Sequence, residues 1–170
     1  MNAGCLFTDG KLVLAGYQPG KSTPRISGFG GKPNCDENPN HTAYRETMEE
    51  LLGHKSIPEH FIFELRQFMK PKKVIQQSNY YILVFSFEDL EQKLKMAEMY
   101  MKKSEYYETI PLTLQELIFS RNFTDKAEPQ DKSFGRAFKS QAEVQQLCLL
   151  PLVKGIYIDK YFQEDINLLL

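Results

Sequence analysis

The sequence predicts an α/β sandwich folded around a mixed β-sheet, and three observations point to it. Short apolar runs bounded by glycine, proline and asparagine alternate with longer, charged, amphipathic segments. The chain has 170 residues, one domain's worth over 1–170 and enough to bury a sizeable core. Its composition, 42% hydrophobic, 25% charged and 12% aromatic, is that of an ordinary globular protein and excludes wholesale disorder.

Cys5-Leu6-Phe7 and Leu12-Val13-Leu14, with Asp9-Gly10 between them, read as a β-hairpin closed by a tight turn. A glycine- and proline-containing stretch, 16–24, leads to a short strand at Ile26-Ser27 that dissolves into Gly28-Phe29-Gly30-Gly31. Asn38 as a cap, Pro39 at the first helical position and Gly53 as a terminator predict a helix over 39–52. Residues 61–68 (FIFELRQF) and 79–87 (NYYILVFSF) read as strands joined through Lys70-Pro71-Lys72-Lys73. Leu90, Leu94, Ala97 and Met101 recur at helical spacing within 88–103. A turn and short strand around Tyr106–Ile110 precede Pro111 and a helix over about 113–119. Residues 121–139 are polar and loop-like, and Gln141–Leu150 reads as a helix stopped by Pro151.

Charge and cysteine usage narrow the setting. Lysine and arginine total 21 against 22 aspartates and glutamates, a formal charge of −1, so nothing draws the whole chain to nucleic acid or anionic membrane. No apolar run approaches the ~18–20 residues of a membrane span. The N-terminal MNAGCLFTDG has neither a basic region nor a long apolar stretch, so no secretory signal is expected. Cys5, Cys35 and Cys148 form no CxxC pair, which argues against a disulfide framework or zinc knuckle and for a reducing, intracellular setting. Gly20-Lys21-Ser22 invites a phosphate-loop reading, but Ala15 stands where that motif needs glycine and Pro24 obstructs its helix.

The helix over 39–52 carries an acidic stripe. With Glu46 at zero on a helical wheel, Glu49 falls at about −60° and Glu50 at about +40°, an arc of about 100°. Tyr44, Met48, Leu51 and Leu52 gather on the other side, toward a core. Like charges at these spacings destabilise a helix, and Arg45 beside them supplies only one positive charge. A hard divalent cation such as Mg²⁺ is the natural partner of such a set, whereas a solvated acidic face is the plain alternative. The wider spacing is the more specific signal: Gly31-x5-Glu37-x7-Arg45-Glu46-x2-Glu49-Glu50. Six fixed identities have a chance occurrence on the order of 10⁻⁵ over the chain.

This string, over residues 31–53, resembles the Nudix hydrolase box GX5EX7REUXEEXGU, where U is a bulky apolar residue. There are two departures. Thr47 takes the first U position, which should lose an apolar contact. Leu52 stands where the box has glycine, and the glycine follows as Gly53. The resemblance implies a Nudix-like α/β/α sandwich over about 3–119 with an extra C-terminal helical segment over about 120–170. It also implies Mg²⁺-dependent hydrolysis, with Mn²⁺ as a substitute, of a nucleoside diphosphate linked to another group. Glu46, Glu49 and Glu50 match the family's metal-binding glutamates, joined by the backbone carbonyl near Gly31. Arg45 matches the arginine that orients the first glutamate, and Glu37 the more peripheral glutamate. Glu46 or Glu50 is the candidate base, with Glu105 and Glu108 as candidates for a base on a distal loop; surface charge is the alternative for those two.

The glycine loop leads directly into the box. There Lys32 is a candidate phosphate contact, Phe29 either core or substrate wall, and Arg25 a candidate at the substrate mouth. The string GFGGK resembles the Nudix branch acting on oxidised purine nucleotides, but Ser27 replaces that branch's base-reading asparagine, so the base preference does not transfer. Tyr80, Tyr81, Tyr106 and Tyr107 read as core or rim residues that can also offer stacking surfaces. Lys70, Lys72 and Lys73, with Lys126, Lys132, Arg136 and Lys139, are candidate RNA contacts or simply solubilising charges. The expected substrate is a small nucleotide, such as a nucleoside triphosphate. Removal of an RNA cap is the first rival, and binding without turnover by a nucleotide sensor is the second. The chain is expected as a monomer or homodimer, with no membrane partner.

Overall fold

The structure, a computed structural model, describes residues 1–18, 25–104, 106–122, 144, 146–153 and 159–170. It is a mixed α/β fold, as the alternation of runs predicts. In place of one mixed sheet, the described residues form two of three strands each.

The first sheet contains β1 (Asn2–Phe7), β4 (Lys73–Gln77) and β5 (Tyr80–Phe85), with β5 in the middle. β1 runs parallel to β5, with Asn2 opposite Tyr80 and Phe7 opposite Phe85. β4 pairs antiparallel with β5 across the short Ser78-Asn79 turn. The second sheet is antiparallel, with β2 (Leu12–Gln18) between β3 (Arg25–Ser27) and β6 (Gln146–Pro151). The expected hairpin of β1 and β2 therefore shrinks to one bridge, Thr8 with Val13. Asp9 still makes the turn, its carboxylate accepting from the N–H groups of Lys11 and Leu12 at 2.8 and 2.7 Å. Beyond the turn the strands part into different sheets.

The helices among the described residues are α1 (Pro39–Leu52), α2 (Glu59–Phe68), α3 (Phe87–Tyr100), α4 (Leu114–Asn122) and α5 (Lys160–Leu169). One core lies between the helices and one face of the first sheet: Ala3, Cys5, Phe7, Leu83 and Phe85 meet Tyr44, Met48, Leu51 and Leu52. Leu6, Ile82 and Val84 point the other way and pack with Val13, Ala15, Phe162 and Ile166. Both faces of β1 and β5 are thus covered, which is why their runs are continuously apolar. No helix among the described residues is long and apolar enough to cross a membrane.

Three further expectations change. Residues 61–68 are the body of α2: Phe61, Ile62 and Leu65 bury at helical spacing, and the aromatic content of FIFELRQF mimics a strand. The Gln141–Leu150 helix is replaced at its C-terminal end by β6, whose pairing with β2 satisfies a backbone that local pattern alone reads as helical; residues 141–143 and 145 lie outside the described residues. Around Tyr106–Ile110 the chain bends without forming a strand, and Tyr106, Tyr107 and Ile110 enter the helical-side core. The polar stretch 123–139 and the cations in it, with Gly20-Lys21-Ser22, also lie outside the described residues.

Candidate functional site

Helix α1 positions the acidic stripe, and its ends follow from local chemistry. The Asn38 side chain accepts from the His41 N–H at 2.9 Å, and Pro39 occupies the first turn. Gly53 adopts φ of 69° and donates its N–H to the Glu49 carbonyl. A Cβ on Gly53 would fall inside the Tyr106 ring, so glycine here also admits a close contact. The later position of the glycine relative to the box is therefore a helix end shaped to receive Tyr106. Thr47 loses an apolar contact but gains a polar one: its buried Oγ1 accepts from the Cys5 N–H at 3.0 Å, tying α1 to β1.

The inner end of α1 is held by Arg121 of α4, which is fully buried. Its guanidinium donates to the carbonyls of Glu50 at 2.6 Å, Leu51 at 2.5 Å and Val144 at 2.9 Å, and to the Tyr107 hydroxyl at 2.9 Å. It lies over the Tyr106 ring, 4.3 Å from the centroid. A cation at the carbonyl end of a helix satisfies its orphan acceptors and opposes its dipole. Glu50's backbone is thus fixed by a residue 71 positions away.

Arg45 organises the outer end. Its Nε donates to Glu37 at 2.8 Å, while Nη1 lies 3.0 Å from Glu46 and donates to Glu49 at 3.2 Å. Nη2 donates to the Lys32 carbonyl at 2.9 Å and to Glu37 at 2.9 Å. Burial opposes ionisation of Glu37, but hydrogen bonds from Arg45, Thr42 and the Asn34 N–H outweigh it and hold its pKa down to about 2. Glu37 is therefore a permanent counter-charge that aims the guanidinium at Glu46 and Glu49. Glu49 goes the other way: burial raises its pKa, and Glu46 and Glu37 add to the rise against the pull of Arg45. Three carboxylates, Glu37, Glu46 and Glu49, share one guanidinium.

Glu50 points elsewhere. It is buried, and its Oε1 accepts from the Gly30 N–H at 2.7 Å. The glycine loop is stitched to β1 by paired bonds between Ala3 and Gly31, each 3.0 Å. A Cβ on Gly31 would lie 2.5 Å from the Glu46 carboxylate, so the missing side chain makes the room Glu46 occupies.

Glu46, Glu50, Gly30, Gly31 and Lys32 line one end of a cavity of about 620 Å³. The other walls come from Tyr80 of β5 and from Asp159, Tyr161, Phe162 and Asp165 on or beside α5. The cavity thus lies between the acidic helix and the C-terminal helix. Glu49 does not line it. Among the described residues, no group of three or more His, Cys, Asp or Glu side chains gathers as a ready metal site. The predicted stripe divides instead into a pair that opens on the cavity, Glu46 and Glu50, and Glu49, which does not; Arg45 holds both Glu46 and Glu49. The chemistry of that pair nonetheless fits a hard divalent cation: carboxylate oxygens beside backbone made accessible by glycine, in a wall rich in acids.

The remaining candidates divide. Phe29 is buried, packs at 6.5 Å from the Phe7 ring and also lines the cavity, so it serves as core and wall together. Lys32 is exposed at the rim. Arg25 sits opposite Gln18 in the β2–β3 pairing, and its side chain lies outside the description. Glu108 is exposed and away from the cavity lining, and Glu105 lies outside the described residues. Tyr106 and Tyr107 are core rather than stacking surfaces.

Sequence reasoning missed the contribution of α5. Phe162, Asp165, Ile166 and Leu169 repeat at helical spacing, and an acid set into an apolar stripe was the signal available. Asp165 is buried, and desolvation, with repulsion from Glu164 and Asp159, pushes its pKa up to about 7. No family model and no curated protein matches the chain.

Proposed function

We propose that this chain is a Mg²⁺-dependent hydrolase of the Nudix type, with the family's α/β/α sandwich. On this reading it cleaves a pyrophosphate linkage in a nucleoside diphosphate joined to another group, with a small nucleotide such as a nucleoside triphosphate as substrate. One observation carries the reading. Two carboxylates of the box, Glu46 and Glu50, open beside Gly30 and Gly31 into a cavity whose described lining also holds Asp159 and Asp165, four acids against the single cation Lys32. Such a wall repels a polyphosphate unless a cation intervenes. Glu46, Glu50 and the backbone carbonyl at Gly31 would hold that ion, with Glu49 joining from the Arg45 network. When bound, Mg²⁺ neutralises phosphate charge and acidifies an attacking water.

The chain's own residues supply the rest. Arg45, aimed by Glu37, orients the Glu46 carboxylate through a charge-assisted contact. Glu46 or Glu50 accepts the proton of the attacking water at a carboxylate oxygen. Lys32 at the rim meets the departing phosphate as a point charge. Phe29 and Phe162 close the apolar floor and exclude bulk water.

The test is a panel of nucleoside triphosphates, sugar nucleotides, dinucleotides and capped RNA incubated with Mg²⁺, with products read by phosphorus NMR. The account expects a small nucleotide to be cleaved, and Glu50→Gln to lower the rate by about 10²–10⁴-fold with the fold retained. Cleavage of capped RNA alone would install the RNA-cap reading instead. Binding without product would make the chain a sensor. Full activity in Glu50→Gln removes the assignment of that carboxylate.

A further inference from the structure

Tyr80 is placed by the first sheet where the acidic helix and the C-terminal helix face each other. It begins β5 opposite Asn2 of β1, and both residues line the cavity. The alternation of β5 sends Tyr80 and Ile82 toward the cavity, while Tyr81 and Leu83 turn to the helical-side core. The hydroxyl reaches the glycine loop: it lies 3.0 Å from the point a Cβ on Gly30 would occupy. Gly30 is the residue whose N–H binds Glu50 at 2.7 Å, so the phenol sits beside the carboxylate pair. On its other side, the Tyr80 ring stacks almost parallel to Tyr161 of α5, 6.3 Å between centroids and 5° between planes. The ring is thereby held between two elements at the cavity wall, with its hydroxyl beside the glycine loop.

Chemistry decides what such a group is for. A tyrosine phenol titrates well above neutral pH, so its O–H is a neutral donor there. A fixed neutral O–H among carboxylates is a donor with few costs: it adds no charge for the acids to pair with, yet it bonds strongly to an anionic oxygen. The cavity's described lining otherwise offers one cationic side chain, Lys32, at its exposed rim.

We infer that Tyr80 is a substrate-contacting residue whose hydroxyl donates a hydrogen bond to a non-bridging oxygen of the bound pyrophosphate group. This rests on the pyrophosphate reading given above. Tyr161 is its positioning residue, and the C-terminal helix is thereby tied to the site.

The experiment is calorimetric binding of methylenebisphosphonate, a non-hydrolysable pyrophosphate isostere, in excess Mg²⁺. Wild type, Tyr80→Phe and Tyr81→Phe are compared. Tyr80→Phe keeps the ring and its stack, so its melting temperature should match wild type. Its Kd should rise about tenfold or more, the loss expected for one hydrogen bond to a charged group. Tyr81→Phe, which strips a hydroxyl from the opposite face of the same strand, should bind as wild type does. The tyrosine ultraviolet difference spectrum on ligand addition gives a second reading that needs no variant to fold, and a flat spectrum in a wild type that binds argues against the contact. Equal affinity of wild type and Tyr80→Phe overturns this inference and leaves the pyrophosphate reading standing. A wild type that binds nothing in Mg²⁺ overturns both.

Discussion

Lys93 is the most unusual single residue of the core. It is fully buried on α3, its Nζ lies 3.4 Å from the centroid of the Phe85 ring, and among the described residues that nitrogen has no hydrogen-bond partner. Desolvation is the dominant influence, and it lowers the pKa from 10.5 to about 8 against the favourable pull of Cys5 and Asp89. The sign of the pH effect follows. Between about 8 and 10.5 the unfolded chain holds a proton that the folded chain has released, so this residue makes stability rise with pH. That contribution is lost as pH falls toward 8. Cys5, pushed up to about 11 by burial, acts in the opposite sense, so the comparison has to be made between proteins. Lys93→Met should be more stable than wild type at pH 7 by about 1–3 kcal/mol. Thermal denaturation should show the gap closing as pH rises from 8 to 10. A gap independent of pH would mean that Lys93 does not titrate in the folded state.

At the scale of elements, the acidic helix depends on neighbours placed far along the chain. The glycine loop makes room for Glu46, Thr47 anchors the helix to β1, and Arg121 holds its carbonyl end. Gly31→Ala tests the first of these. Its Cβ would fall 2.5 Å from the Glu46 carboxylate, the far end of a flexible side chain that can swing aside. Stability should therefore change by less than about 1 kcal/mol. Activity should fall about 10²-fold, because the displaced carboxylate no longer meets its partners. Steady-state rates on the proposed substrate and melting curves on one preparation check both halves, and a fully active Gly31→Ala variant would show that the close packing of Gly31 and Glu46 is incidental.

These dependencies explain what could be read from the sequence. Helix α1 was legible to the residue because its signals are local: Asn38, Pro39 and Gly53 each act within one turn. The box spacing was legible because identities at fixed offsets survive without coordinates. Helix α2 was misread because Phe61, Ile62, Phe63 and Phe68 carry β-propensity, which the burial of Phe61, Ile62 and Leu65 at helical spacing overrides. β6 was misread because its partner β2 lies more than a hundred residues earlier, and the ladder from Leu12 with Pro151 to Tyr17 with Gln146 leaves no local trace. The contact of Arg45 with Glu46 was expected from the resemblance, but its sharing with Glu37 and Glu49 depends on side-chain geometry that spacing does not fix. The wheel placed three carboxylates on one arc, but side-chain partners decided which of them face the cavity.

In the molecule as a whole, strands of two sheets and two helices, α1 and α5, meet at one cavity among the described residues. The acidic helix forms one wall, and a C-terminal helix that the box does not include forms the other. The central claim is that Glu46 and Glu50 hold a divalent ion there against a pyrophosphate. Electron paramagnetic resonance of Mn²⁺, titrated in the presence of a non-hydrolysable nucleoside triphosphate analogue, tests it most directly. The account predicts a saturable protein-bound Mn²⁺ signal in wild type that is lost in the Glu46→Gln, Glu50→Gln double variant while the fold persists. Equal binding of Mn²⁺ by both proteins, or by neither, would contradict it.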